Sequence, residues 1–189
     1  MKPLTAIFIF ILFISSLSAQ LIPVKNALQT DIAKVISDYH NGFKNIVGDE
    51  IIENPQSIEF ECRVNVKDAN KCRVIKYSSN TKETYSWEAE MMKTDDFEVA
   101  SKKFRSIYNS LQHLSVNING RKVVFRGEYI KPTDEIKFTN IVFDGGDKAA
   151  DLKNLKLALL LENEMLEWVI RIQVFAKERD DKERGPEKD

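Results

Sequence analysis

Between Leu155 and Val174 an apolar residue takes every second place, twice over. Leu155, Leu157, Leu159 and Leu161 form the first run, and Leu166, Trp168, Ile170, Ile172 and Val174 the second. A period of two marks a strand with one face in a core. Two such runs this close in sequence are expected to pair as an antiparallel hairpin. Asn163-Glu164 suits a two-residue turn, because Asn tolerates positive φ. With that turn Leu161 faces Leu166, Leu159 faces Trp168, and Leu157 faces Ile170. The apolar side of such a hairpin needs a second layer over it.

Two stretches offer that layer. Leu28, Ile32, Val35, Ile36 and Tyr39 recur at helical spacing, with Asp31, Lys34 and Asp38 turned away. Asn26 can cap this helix, Gln29 stands at the capping-box position, and Gly42 ends it, with Phe43, Ile46 and Val47 covering the exit. A second helix starts at Thr94 or Asp95, with Asp95 and Glu98 as its capping box. Its stripe runs through Phe97, Ala100, Phe104, Ile107, Tyr108, Leu111 and Leu114. A stripe of this kind is core rather than a cofactor box, and Lys102, Lys103 and Arg105 lie on its solvated side.

Between the helices, Gly48 to Gln56, with Pro55, reads as a connecting loop. Ile58, Phe60, Cys62, Val64 and Val66 then alternate with Glu59, Glu61, Arg63 and Asn65. Lys67 to Asn70 turns the chain into a return strand, Lys71 to Tyr77. After a turn at residues 78–82, Tyr85, Trp87, Ala89 and Met91 alternate with Thr84, Ser86, Glu88 and Glu90, completing a three-stranded meander. Past the second helix, Arg121 to Ile130 and Glu135 to Phe143 read as a hairpin around Pro132-Thr133-Asp134. The expected fold class is α+β: an antiparallel sheet with two helices packed on one face, in the order α-βββ-α-ββ-ββ. The recurrence of helix and meander raises the possibility of two related halves.

The ends of the chain read differently. Lys2, the apolar run Ala6 to Ile14, and the small residues Ser15, Ser16, Ser18 and Ala19 follow the order of a secretory signal peptide cleaved after Ala19. The apolar run is shorter than the roughly 20 residues a membrane-spanning helix needs. Cleavage leaves 170 of the 189 residues, enough for one domain with a real core, over residues 20–176. Residues 177–189, KERDDKERGPEKD, have the composition of a disordered charged tail. The chain is therefore expected to be exported, to the periplasm or outside the cell, with no membrane anchor after cleavage. With 28 basic and 29 acidic residues, charge offers no case for nucleic acid.

Export bears on the two cysteines. A zinc site needs about four ligands at close spacing, and Cys62 and Cys72 have only His40 and His113 to join them. A thioredoxin-like pair needs C-x-x-C at a helix start. Cys62 shares an inward face with Phe60 and Val64, and Cys72 with Val74. A five-residue loop from Asn65 to Ala69 sets the two opposite, whereas a shorter loop leaves them diagonal, where a disulfide would strain. A disulfide is the expected state in an exported chain, with two buried free thiols as the alternative.

Catalytic signals are weak by contrast. No G-x-S-x-G elbow, Walker A, GxGxxG or H-E-x-x-H motif occurs. His40 and His113 each sit at a helix end, where interaction with terminal carbonyls suffices to explain them. Glu59 with Glu61, and Glu88 with Glu90, are pairs on outward strand faces, expected to be solvated. Asp144 to Asp151 does not fit an EF-hand loop and reads as a loop between hairpins. Nothing asks for a metal or a cofactor, and no catalytic residue stands out.

One feature points to binding. Ala158, Leu160 and Val169 occupy outward positions of the last hairpin, and Ile75 and Tyr77 lie opposite the cysteine face. A sheet apolar on both sides commonly hides one of them in a partner, a groove or a dimer. The expected function is a non-enzymatic binding or interaction module, for a protein or a small ligand, acting through a sheet face. The alternative is a small secreted hydrolase using surface carboxylates.

Overall fold

The computed structural model describes residues 26–77, 84–146, 152 and 154–176. The signal segment, the turn at 78–82, most of the 144–151 loop and the charged tail lie outside the described residues.

Asn26 caps the first helix, α1 (Ala27–Asp38), and its capping box with Gln29 is formed in both directions. A 3-10 turn, Tyr39–Asn41, follows and closes on Gly42. Gly42 holds φ +62°, and a Cβ there would lie 3.3 Å from the Tyr85 ring, so both the backbone and the close approach favour glycine. The second helix, α2, spans Phe97–Leu111. Its N-cap is Asp96, whose side chain accepts from the Val99 amide at 3.0 Å, so the cap falls one residue later than Asp95.

Nine strands accompany them among the described residues: β1 (Val47–Asn54), β2 (Ser57–Cys62), β3 (Lys71–Tyr77), β4 (Thr84–Thr94), β5 (Ser115–Ile118), β6 (Arg121–Val124), β7 (Phe138–Asp144), β8 (Leu155–Glu164) and β9 (Glu167–Ala176). Seven form one antiparallel sheet in the order β1-β2-β3-β4-β9-β8-β7, and β5 pairs with β6 in a separate hairpin. The α+β class, the helix-and-strand order and the antiparallel pairing are as the sequence indicates. One core lies between helices and sheet. Ile32, Val35 and Ile36 of α1, Phe104 and Leu111 of α2, and Val74, Trp87, Leu159 and Ile172 of the sheet belong to it. α2 lies against β4, β8 and β9, while α1 reaches β5 and α2.

Four local expectations are corrected. Residues 48–56 are mostly strand rather than loop: β1 is an edge strand with Ile51 and Ile52 exposed. It is held by backbone pairing to β2 and carries two register irregularities. Without a buried face it has no alternation to read. β2 stops at Cys62, so Val64 and Val66 lie in the connection to β3.

The hairpin expected around Pro132 does not form. β6 instead pairs back to β5 through Asn119-Gly120, both at positive φ, a pairing that the Asn-Gly signal favours. β7 pairs with β8. Residues 125–130 are drawn against α2, where the Tyr108 hydroxyl donates to the Gly127 carbonyl at 3.1 Å and the Tyr108 and Tyr129 rings stand 4.9 Å apart.

The last hairpin keeps its faces and changes its register. Leu161 faces Ile170, Leu159 faces Ile172, Leu157 faces Val174, and Asn163 faces Trp168. The turn is Met165-Leu166, and Leu166 is exposed rather than inward. The displacement is an even number of residues, so Trp168 stays inside, against Phe97 at a ring distance of 5.0 Å.

Candidate functional site

Two places in this frame carry unusual chemistry: the sheet face turned away from the helices, and the two thiols at the β2–β3 connection.

The outer face holds all five apolar residues picked out by alternation. Ile75 lies on β3 between Glu59 and Ser86, Ala158 faces Gln173, Leu160 faces Arg171, and Val169 lies between Lys93 and Glu162. Ile75, Ala158, Leu160 and Val169 are buried, and only Tyr77 is exposed. Four of the five therefore cannot themselves offer contact area. The apolar surface that is open on this face lies along β7 instead, at Phe138 (51% exposed) and Val142 (42% exposed). Phe138 faces Glu162, Asn140 faces Leu160, and Val142 faces Ala158. The Asn140 Oδ1 atom is buried without a hydrogen-bond partner.

A band of charge crosses the same face over five strands. Arg73 donates to Glu59 at 2.7 Å and to Glu88 at 2.7 Å. Glu88 also accepts from Gln173 at 2.8 Å and lies 3.5 Å from Arg171. Arg171 grips Glu164 through two nitrogens, at 2.6 and 2.8 Å, and reaches Glu162 at 2.8 Å. Hydrogen bonding to Arg171 holds the Glu164 carboxyl below the usual range, whereas burial pushes Glu162 up. The expectation that Glu88 and Glu90 are solvated is corrected here. Both are buried, Glu88 between two arginines and Glu90 against Lys71 at 3.3 Å. A buried carboxylate persists when paired and hydrogen-bonded in this way.

Cys62 ends β2 and Cys72 nearly begins β3. The register that sets Glu61 against Arg73 continues to set Cys62 against Cys72, although the connection runs over residues 63–70 rather than the five-residue loop expected. Both are half-buried free thiols in this structure. They line a cavity of about 240 Å³ with Arg63, Val64, Asn65, Ala69, Asn70 and Lys71 among its walls.

Hydrogen bonds make the two sulfurs unequal. The Trp87 Nε1–H, on fully buried Trp87, donates to Cys62 Sγ at 3.1 Å. Cys72 Sγ donates to the Val64 carbonyl at 3.3 Å and meets the Cys62 carbonyl at 3.8 Å. The bond from Cys72, helped by Trp87 and the Val64 backbone, draws the Cys62 thiol down to about 6. The same bond to Cys62, together with burial, pushes Cys72 up. Trp87 was legible in the sequence only as an inward residue of β4. Its reach past Val74 of β3 to Cys62 required the register of three strands.

The remaining candidates take structural parts. His40 stacks edge-on against Tyr39 at 5.5 Å, and His113 follows α2 at positive φ. A cavity of about 590 Å³ between α1 and β5 includes Asp38, Asn41 and Asn45 in its lining. There Asp38 accepts from the Asn45 amide at 3.0 Å and from Asn41 Nδ2 at 2.9 Å, which locks the exit of α1. Groups of three or more metal-ligating side chains are absent among the described residues. No protein-family model matches this chain, and no curated protein or solved structure matches it.

Proposed function

We propose that the mature chain is an exported, non-enzymatic binding module that takes a protein partner at the β7 side of its outer sheet face. The observation carrying this reading is the tip of the β8–β9 hairpin. Met165 and Leu166 both hold positive φ and are almost wholly exposed. Bulky side chains in that backbone region are strained, and neither contributes packing to this fold. Such a pair is best explained by something it meets outside the fold.

The surroundings support the same reading. The Lys137 carbonyl accepts from the Asn163 amide at 2.9 Å, which holds the chain before β7 beside the tip. Exposed Ile136 and Phe138 flank Lys137. β7 ends the sheet order, and among the described residues Arg126 bridges its outer edge at Asp144, so strand addition by a partner is proposed along the stretch from Phe138 to Val142. Against a hydrolase, Glu59, Glu88 and Glu90 are each engaged by Arg73, Arg171 or Lys71.

The test compares the mature protein with a Phe138→Glu, Leu166→Glu variant by sedimentation and by co-purification from the exported fraction. The wild type should carry a second polypeptide, or a second copy of itself, that the folded variant loses. Identical bare monomers in both cases would overturn the proposal. Its export half is checked by N-terminal sequencing, which should begin at Gln20; an intact Met1 on cytoplasmic protein would sink it. In the exported compartment Cys62 and Cys72 should close as an intramolecular disulfide, recovered as one cross-linked peptide pair under non-reducing digestion.

A further inference from the structure

We propose that Cys62 and Cys72 form a thiol–disulfide exchange site, in which Cys62 takes the incoming disulfide and Cys72 resolves it. This deepens the disulfide reading above by naming the sulfur that reacts first. Three observations carry it. The thiols face a cavity of about 240 Å³, on the scale of a small disulfide's approaching arm, rather than a packed core. They stand opposite each other across β2 and β3, so closing a bond between them needs no change of register. Their hydrogen bonds differ: Cys62 Sγ accepts from the Trp87 Nε1–H at 3.1 Å, whereas Cys72 Sγ donates to the Val64 carbonyl at 3.3 Å, closer than the 3.7 Å from Cys62 Sγ to the same oxygen. A structural pair needs none of that asymmetry. An attacking thiolate with a waiting resolving thiol needs all of it.

The step balances as follows. The Cys62 thiolate attacks one sulfur of a disulfide RSSR, forming Cys62–S–S–R and releasing RS⁻. Cys72 gives up its proton, its sulfur attacks Cys62 Sγ, and a second RS⁻ leaves. The two protein thiols lose two electrons and two protons, and RSSR becomes two RSH. Arg63 at the cavity wall favours an anionic disulfide, since opposite charges attract at close range, while Lys71 is taken up by Glu90 at 3.3 Å.

The size of the preference follows from the same geometry. At pH 6 the Cys62 thiol, with its value near 6, is about half thiolate. An ordinary thiol is then about 0.3% thiolate. The lower intrinsic nucleophilicity of the more acidic thiol takes back about tenfold, leaving a net advantage of roughly tenfold at that pH.

The experiment reacts the reduced, full mature protein with oxidised glutathione between pH 5 and 9, quenches it in acid, and maps the adducts by mass spectrometry. The wild type should pass through a glutathione adduct on Cys62 to the internal disulfide. Cys72→Ser should stop at the Cys62 adduct. Trp87→Phe should move the pH midpoint of the Cys62 reaction upward. Adducts mainly on Cys72, or both sulfurs reacting alike with a midpoint near 8.5, would overturn the proposal. Mapping on the wild type alone decides between them if a variant fails to fold. An exported chain with a closed disulfide whose exchange ran through Cys72 would keep the earlier reading and remove this one.

Discussion

Replacing Met165 with Asn and Leu166 with Gly should stabilise the protein, although it deletes two large apolar side chains. Those residues hold φ of 48° and 75° and are 97% and 84% exposed. An L residue in the left-handed region costs roughly 1–2 kcal/mol against its right-handed alternative. Gly escapes that cost and Asn tolerates the region well. The extra freedom of Gly in the unfolded chain takes back roughly 0.5–1 kcal/mol. The net gain is therefore expected at roughly 1–2 kcal/mol, a Tm rise of roughly 2–8 °C for a chain of this size. Lost side-chain contacts subtract little, because water surrounds both groups. Urea unfolding of the mature protein measures the change as a shift of midpoint at constant slope. A loss of about 2 kcal/mol or more, the penalty of emptying a core position, would refute the reasoning. It would place Leu166 inside, as a turn at Asn163-Glu164 requires. The same variant separates stability from use, since the proposed partner should leave a protein that has become harder to unfold.

Trp168→Ala should cost about 3–5 kcal/mol, while Glu167→Ala, whose 43% exposed side chain meets Lys93, should cost under about 1 kcal/mol in the same denaturant assay. Equal losses would undo the assignment of faces. Gly127→Ala should cost about 1–3 kcal/mol by overpacking, because the new Cβ would sit 2.9 Å from the Phe143 ring and 3.1 Å from Ile141; an unchanged unfolding midpoint would contradict this. Stability of the reduced protein should rise from about pH 6 to about 8.5. Over that span unfolded Cys62 keeps a proton that the folded thiol has lost. Above 8.5 it should fall again, because folded Cys72 retains a proton that the unfolded chain releases. Denaturant midpoints across pH, with and without reductant, check the sign, and the same peak in the disulfide form would sink it.

Much of this protein was legible in the chain itself, wherever one face of an element is buried and its neighbour is close in sequence. The stripe of α2, the capping box of α1 and the inward sets of β4, β8 and β9 follow from periodicities that burial imposes. The shared inward face of Cys62 and Cys72 follows from alternation, but their opposition is set by the pairing of β2 with β3 across the 63–70 connection. Tertiary structure decided what periodicity leaves open. β1 exists through backbone pairing at an edge, with no buried face to pattern it. β7 goes to β8 rather than to its sequence neighbour, because Asn119-Gly120 has already turned β6 onto β5. The even displacement of the last hairpin is invisible to a two-residue period, since every inward residue except Leu166, which enters the turn, stays inward. It took the positive φ at Met165 and Leu166 to locate the turn. The contact from Trp87 to Cys62 spans three strands. No local pattern encodes a distance that arises only when separate strands are laid side by side.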